Sequence, residues 1–184
     1  MIKELDTHKA NIPSIHEWVG DGVDHINIKH GKARTTLGKS LAIQASANFI
    51  HPVLGPFSSM EGFWHFVKTK GADDRMRDMH PFAIRALAKE YPSYTIPKFK
   101  EIIIDGYYYR IRSDGKLLRE FLDNKLPLVT YTYFSRGGTP IRIEETRMRF
   151  ITQGLADLAE LMREGRGPYH PDYEEIFPHL FKSN

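Results

Sequence analysis

Polar and apolar positions alternate over His25-Ile26-Asn27-Ile28-Lys29, the pattern of a half-buried strand that delivers the chain to a basic turn holding Lys32 and Arg34. Upstream, residues 1–24 are polar and broken by Pro13, Gly20 and Gly22, which predicts a short helix and an irregular arm. Residues 36–49 are apolar and rich in small side chains but keep no period. They read as loop with one strand or helical turn, stopped by His51-Pro52. Gly55 to Lys68 reads as a turn running into a short helix whose greasy faces are Phe63, Trp64, Phe66 and Val67. A further helix is expected around 73–79, and Pro81 to Lys89 is amphipathic with proline in the first turn.

Over 97–111 two local rules conflict. Asp105-Gly106 between β-branched and aromatic residues is a hairpin signal that pairs Ile102–Ile104 with Tyr107–Tyr109. A helix starting at Pro97 instead puts Phe99, Ile102 and Ile103 on one face, at a cost of about 1 kcal/mol for the interior glycine. The residues alone favour the hairpin. Asp114 to Asp123 repeats Leu117, Leu118, Phe121 and Leu122 at helical spacing, and Leu128 to Phe134 reads as a strand. Arg136-Gly137-Gly138 turns that strand into Pro140–Ile143, and a long helix follows from about Glu145 to Arg163. The tail beyond 165 holds Pro168, Pro171 and Pro178, so it should run over the surface, anchored by Tyr173, Ile176, Phe177 and Leu180.

Length and composition narrow the class. The 184 residues contain no Pro/Gly/Ser linker and suffice for a single domain with its own core. A hydrophobic fraction of 41% and a charged fraction of 27% are those of a soluble globular chain. No apolar run reaches the roughly 18 residues of a membrane span, and Met1 to Asp6 lacks the apolar stretch of a signal peptide. The chain has no cysteine, which excludes a disulfide framework and a thiolate metal site. A cytoplasmic protein with no membrane partner is the expectation. A net charge of +3 permits contact with nucleic acid without requiring it. The clusters Lys29-His30-Gly31-Lys32-Ala33-Arg34 and Arg142, Arg147 and Arg149 read either as solvated surface or as phosphate contacts.

Candidate chemistry centres on Glu61. It falls in the first turn of an aromatic helix, where the helix dipole favours a carboxylate and where Ser58 or Ser59 can cap the exposed amides. Such an acid is displayed from a packed element beside an aromatic wall. The alternative is that it only completes a capping arrangement with Ser58. His65 lies one helical turn further on, but two ligands are too few for a metal, and none is expected. There is no Walker loop, dinucleotide fingerprint, His-Glu-x-x-His pair or Gly-x-Ser-x-Gly elbow. Residue by residue, the reading stops at a soluble α+β domain with one conspicuous acid.

Three runs in fixed order carry it further: Lys32-Ala33-Arg34-Thr35-Thr36-Leu37-Gly38-Lys39-Ser40-Leu41, then Ala47-Asn48-Phe49-Ile50-His51, then Phe57-Ser58-Ser59-Met60-Glu61-Gly62-Phe63-Trp64. Together they resemble the NADAR (YbiA-like) family, whose members show Ser-Lys-x-x-Thr-x-Leu-Gly, Ser-Asn-Phe and Phe-x-Ser-x-Glu-x-Tyr/Phe-Trp in that order. Leu117 to Tyr131 is similar to the family's helix, Leu-Pro turn and aromatic strand, so the resemblance covers about residues 26–162. The chain carries Ala47 where the family has a serine, and Tyr131-Thr132-Tyr133-Phe134 offers neither the downstream acid nor the Trp-Gly of many members.

The resemblance implies a mainly helical α+β domain with a small sheet and a helix over 97–111. It also implies hydrolysis of an N-glycosidic bond, either removal of ADP-ribose from guanine in DNA or cleavage of phosphorylated ribosylamino-pyrimidines. No cofactor is implied. Glu61 would stabilise the oxocarbenium character that develops at the anomeric carbon. Lys32 would either contact phosphate or attack the ring-opened sugar as a Schiff-base nucleophile. Arg34 and Lys39 would bind phosphate, with Asn48, Phe49, Trp64 and Tyr131 lining the base and ribose pocket. Glu61, Lys32 and the strand near Tyr131 should then converge on one concavity. A degenerate member that binds ADP-ribose or nucleic acid without cleavage is the competing class.

Overall fold

The computed structural model describes residues 20–29, 31–136 and 139–181, so the expected N-terminal helix and arm lie almost wholly outside the described residues. Strand β1 (Ile26–Asn27) leads through the basic turn to helix α1 (Thr36–Leu41), whose first turn is capped by the Thr35 hydroxyl accepting from the Gly38 amide at 3.0 Å. Strands β2 (Ser46–His51) and β3 (Gly55–Ser59) form an antiparallel hairpin with Phe49 opposite Phe57. Helix α2 (Met60–Lys68) starts directly from β3. A single 3-10 turn at Asp74–Arg77 and helix α3 (Pro81–Leu87) lead to helix α4 (Phe99–Ser113). Helix α5 (Gly115–Asp123) is capped by Asp114 through the amides of Lys116 and Leu117. Strands β4 (Leu128–Val129), β5 (Tyr131–Arg136) and β6 (Thr139–Glu144) precede helix α6 (Arg149–Arg163) and the short helices α7 (Tyr173–Ile176) and α8 (Pro178–Phe181).

The architecture is α+β and mainly helical. Its strands make three separate pairs: β1 with β4 in parallel, and β2–β3 and β5–β6 as antiparallel hairpins. Among the described residues no helix is long and apolar enough to cross a membrane. One cluster of buried side chains runs from Ile26 to Phe177 and centres on α4, which packs against β2, α2, α5 and α6. Ile102, Ile103, Tyr107 and Ile111 of this helix are fully buried. Because α4 is enclosed on several sides it also buries Asp105, Gly106 and Arg110, so it lacks the one-sided apolar stripe that marks a surface helix.

Four sequence readings are corrected here. Within residues 97–111 the chain is helical from Phe99 onward rather than a hairpin, as the family resemblance implied. The reason is tertiary: a Cβ at Gly106 would stand 2.6 Å from a ring carbon of Phe63, so the glycine serves helix packing and not a turn. Residues 36–51 hold a helix and a strand rather than loop with a single element, since Leu37, Leu41 and Phe49 each find a buried face. Gly55–Ser59 is a strand, with Gly55 at φ 82° closing the hairpin turn before it, and the helix expected around 73–79 is only the 3-10 turn.

The tail, last, is more than a surface run. Tyr173 and Phe177 are buried, whereas Leu180 is exposed and anchors little. The Tyr173 hydroxyl donates to Asp105 Oδ2 at 2.6 Å, and His170 Nδ1 reaches Asp105 Oδ1 at 2.8 Å. His51 completes the group: its Nδ1 accepts from the Val53 and Leu54 amides, which leaves the proton on Nε2, 3.1 Å from Asp105 Oδ2. Burial, then the Asp105 charge, pushes the Tyr173 phenol far up, so it stays protonated and donates.

Candidate active site

Glu61 is the second residue of α2, and the element places it for a local reason. Ser59, the residue before the helix, accepts from the Gly62 amide at 3.1 Å, so Ser59 rather than Ser58 is the cap and Glu61 is released from that duty. The Glu61 amide donates to the Ile43 carbonyl at 2.7 Å, tying α2 to the loop between α1 and β2. Met60, Phe63, Phe66 and Val67 are buried, which holds the helix rigidly and turns Glu61 and Trp64 toward a cavity of about 540 Å³.

The carboxylate is 3% exposed yet strongly partnered. Arg85 grips it with two contacts, Nε to Oε1 at 2.5 Å and Nη2 to Oε2 at 3.3 Å, and His65 Nε2 stands 3.3 Å from Oε1. In the amide orientation that satisfies both of its polar atoms, Gln44 accepts from the same guanidinium. Burial by itself raises the Glu61 carboxyl. The hydrogen bonds from His65 and Arg85 and their charge outweigh it, and the group sits below its ordinary 4.5. Glu61 is therefore an ionised carboxylate at neutral pH, at the wall of a cavity.

Around it stand an aromatic wall and three cations. Trp64 packs edge-on against Phe99 with ring centroids 4.7 Å apart, and Lys68 lies over the Trp64 ring at 5.8 Å. Lys68, Arg85 and Lys89 line the cavity together with His65 and Tyr91, while Glu61 is the acid on its wall. The Tyr91 hydroxyl is anchored to Asp73 Oδ2 at 2.7 Å. Among the described residues no three His, Asp or Glu side chains converge as a metal-ligand set.

Of the residues given a role by the family resemblance, Glu61 and Trp64 meet in this cavity and the others do not line it, while His65, noted beside Glu61 in the sequence, lines it as well. The expected convergence of Lys32 and Tyr131 with Glu61 is corrected. Lys32 Nζ lies over the Tyr133 ring at 5.5 Å. Tyr131 is fully buried, with its hydroxyl 2.7 Å from His25 Nε2 and the Arg142 guanidinium over its ring at 4.0 Å. Phe49 is also corrected from pocket wall to core: it faces inward from β2 and stacks on Phe57 at 5.8 Å. Arg34 has an exposed side chain, and its amide donates to Asp21 at 2.7 Å. Lys39 and Asn48 line a different cavity. Sequence reasoning passed over Lys68, Arg85 and Lys89. Arg85 sits on the polar face of an amphipathic helix, where an arginine gives no local sign of its partner. No protein-family model and no solved structure matches the chain.

Proposed function

We propose that the protein is an N-glycosidase that hydrolyses the bond between a ribosyl group and a base, in a substrate that carries phosphate. The observation behind this reading is the ionised, nearly buried Glu61 held at a cavity wall by Arg85 and His65, facing Trp64 and flanked by Lys68 and Lys89. When the C1′–N bond breaks, its electron pair leaves with the base and positive charge develops at C1′. A fixed carboxylate in a poorly solvated site stabilises that charge without reorganising. Water supplies the oxygen that bonds to C1′, its proton passes to the site, and the base nitrogen takes up a proton. His65, on the same carboxylate, is the group placed to carry a proton in this exchange. The cationic excess of the cavity suits phosphate oxygens, and Trp64 presents an apolar ring to a base. Lys32 is given no role in this step, because it does not line the cavity.

ADP-ribosylated guanine in nucleic acid is the first substrate proposed, in keeping with the net charge of +3. A small ribosylamino-pyrimidine phosphate is the second, favoured by one observation: Arg142 and Arg149 both pair with Glu144 at 3.3 Å, whose single carboxylate engages both cations and halves the charge they offer a polynucleotide. The test incubates the protein separately with ADP-ribosyl-guanine DNA and with the ribosylamino-pyrimidine phosphate at two salt concentrations. Release of ADP-ribose that weakens with salt is the expected result. Cleavage of the small phosphate alone selects the second substrate, and cleavage of neither overturns the N-glycosidase reading.

A further inference from the structure

We propose that the cavity bounded by α1, β2 and the α4–α5 junction is a binding site for a small phosphorylated ligand, separate from the Glu61 cavity and charged by the buried Arg110. This cavity encloses about 590 Å³ and shares no lining residue with the one beside Glu61. Arg110 reaches its wall from α4 and is 1% exposed. Its guanidinium donates to the Ala42 carbonyl at 3.2 Å and to the Ser40 carbonyl, while Nε has no hydrogen-bond partner. Among the described residues no carboxylate forms an ion pair with it.

A guanidinium stays charged at neutral pH. A buried charge without a counter-ion is costly, and carbonyl oxygens offset it only in part. Burial holds the Arg110 pKa below its ordinary value, and the nearby Asp114 charge offsets this only in part. An anion in the adjoining cavity supplies the remaining compensation. The rest of the wall is built to hold one: Lys39, which among the described residues makes no ion pair, the hydroxyls of Ser40 and Ser46, and the Asn48 amide. Asp114 is the acid on this wall, and its Oδ1 is engaged with the Lys116 and Leu117 amides at 2.9 and 3.1 Å. Lys39, Ser46 and Asn48 are exposed and able to touch the phosphate, while Arg110 acts on it through its field. Lys39 and Asn48, expected from the family resemblance beside Glu61, meet here instead.

The test titrates the isotope-labelled full chain with inorganic phosphate and, separately, with ADP, at constant ionic strength set with chloride, following backbone amides by NMR. Saturable shifts of the Ser46, Asn48, Ser113 and Gly115 amides are expected. Lys39→Ala should weaken them by about tenfold, the loss of one charge-assisted hydrogen bond, and Glu61→Gln should leave them unchanged. Tighter saturation by ADP assigns a nucleotide, and equal saturation a lone phosphate group. Shifts that chloride reproduces, shifts confined to residues around Glu61, or undiminished binding in Lys39→Ala would each overturn the proposal.

Discussion

Among the described residues three carboxylates lie almost wholly out of water, Asp21, Glu61 and Asp105, and two of them, Glu61 at 3% and Asp105 at 1% exposure, are each met by histidine. Their surroundings differ in what stands on the remaining side. Glu61 faces a cavity, and its main partner Arg85 keeps a side chain that is 48% exposed on the wall of that cavity. Asp105 lies on the central helix, where Tyr173, His51 and His170 close over both of its oxygens and fasten the tail to α4 and β2. Burial does not by itself mark an acid as chemical. An acid that must act needs space beside it and partners that hold its charge without filling that space, whereas one that binds elements together is best fully consumed by donors.

The largest expected effect separates the two sites directly. Glu61→Gln should lower base release by between about 10²- and 10⁴-fold, the range for loss of an essential acid or base. Its melting temperature should fall by the stability that the ionised carboxylate draws from Arg85 and His65 while the chain stays folded, and a variant that cleaves at the parent rate would remove Glu61 from the chemistry. Asp105→Asn is the converse. It leaves a tyrosine hydroxyl and two histidines without their charged acceptor, for about 3 kcal/mol of lost stability in urea unfolding. Turnover per folded molecule should be unchanged, and an unaltered unfolding midpoint would contradict the latch role. Gly106→Ala probes the packing between the two sites. The added Cβ must displace the Phe63 ring, and overpacking outweighs the better helix propensity of alanine, for a net loss of about 1–2 kcal/mol on thermal unfolding.

The smallest effect is on pH dependence, and its sign follows from the depressed Glu61 carboxyl. The folded-state value lies below the ordinary 4.5, so the stability that Glu61 adds is complete above 4.5 and lost as pH falls through the lower folded value. The acid limb of turnover should likewise lie below 4.5. In Arg85→Gln that limb should move upward, as measured in a pH–rate profile. A limb that stays in place would show that Arg85 does not hold the carboxylate ionised.

The same contrast marks how far the sequence reaches. Local pattern located the helix of Glu61, the Asp114-capped helix, the long C-terminal helix and the β5–β6 strands, because each has one solvated face or a cap and so writes its period into neighbouring residues. It also singled out Glu61 and Trp64, which share one short helix and need only that helix to stand side by side. Local rules misread α4 as a hairpin, since a helix enclosed by other elements has no solvated face to impose a period and uses Asp105 and Gly106 for contacts across the fold. Arg85 and Lys89 could not be assigned to the site, because they come from α3 and the turn after it, more than 20 residues from Glu61. The inward turn of Phe49 and Tyr131 was equally hidden, since the face a strand residue takes depends on what packs against it. Residue types and their short-range spacing determined the elements and one acid. Which acid faces space and which is sealed was decided by long-range packing, where the cost of burying charge is set by groups distant in the chain.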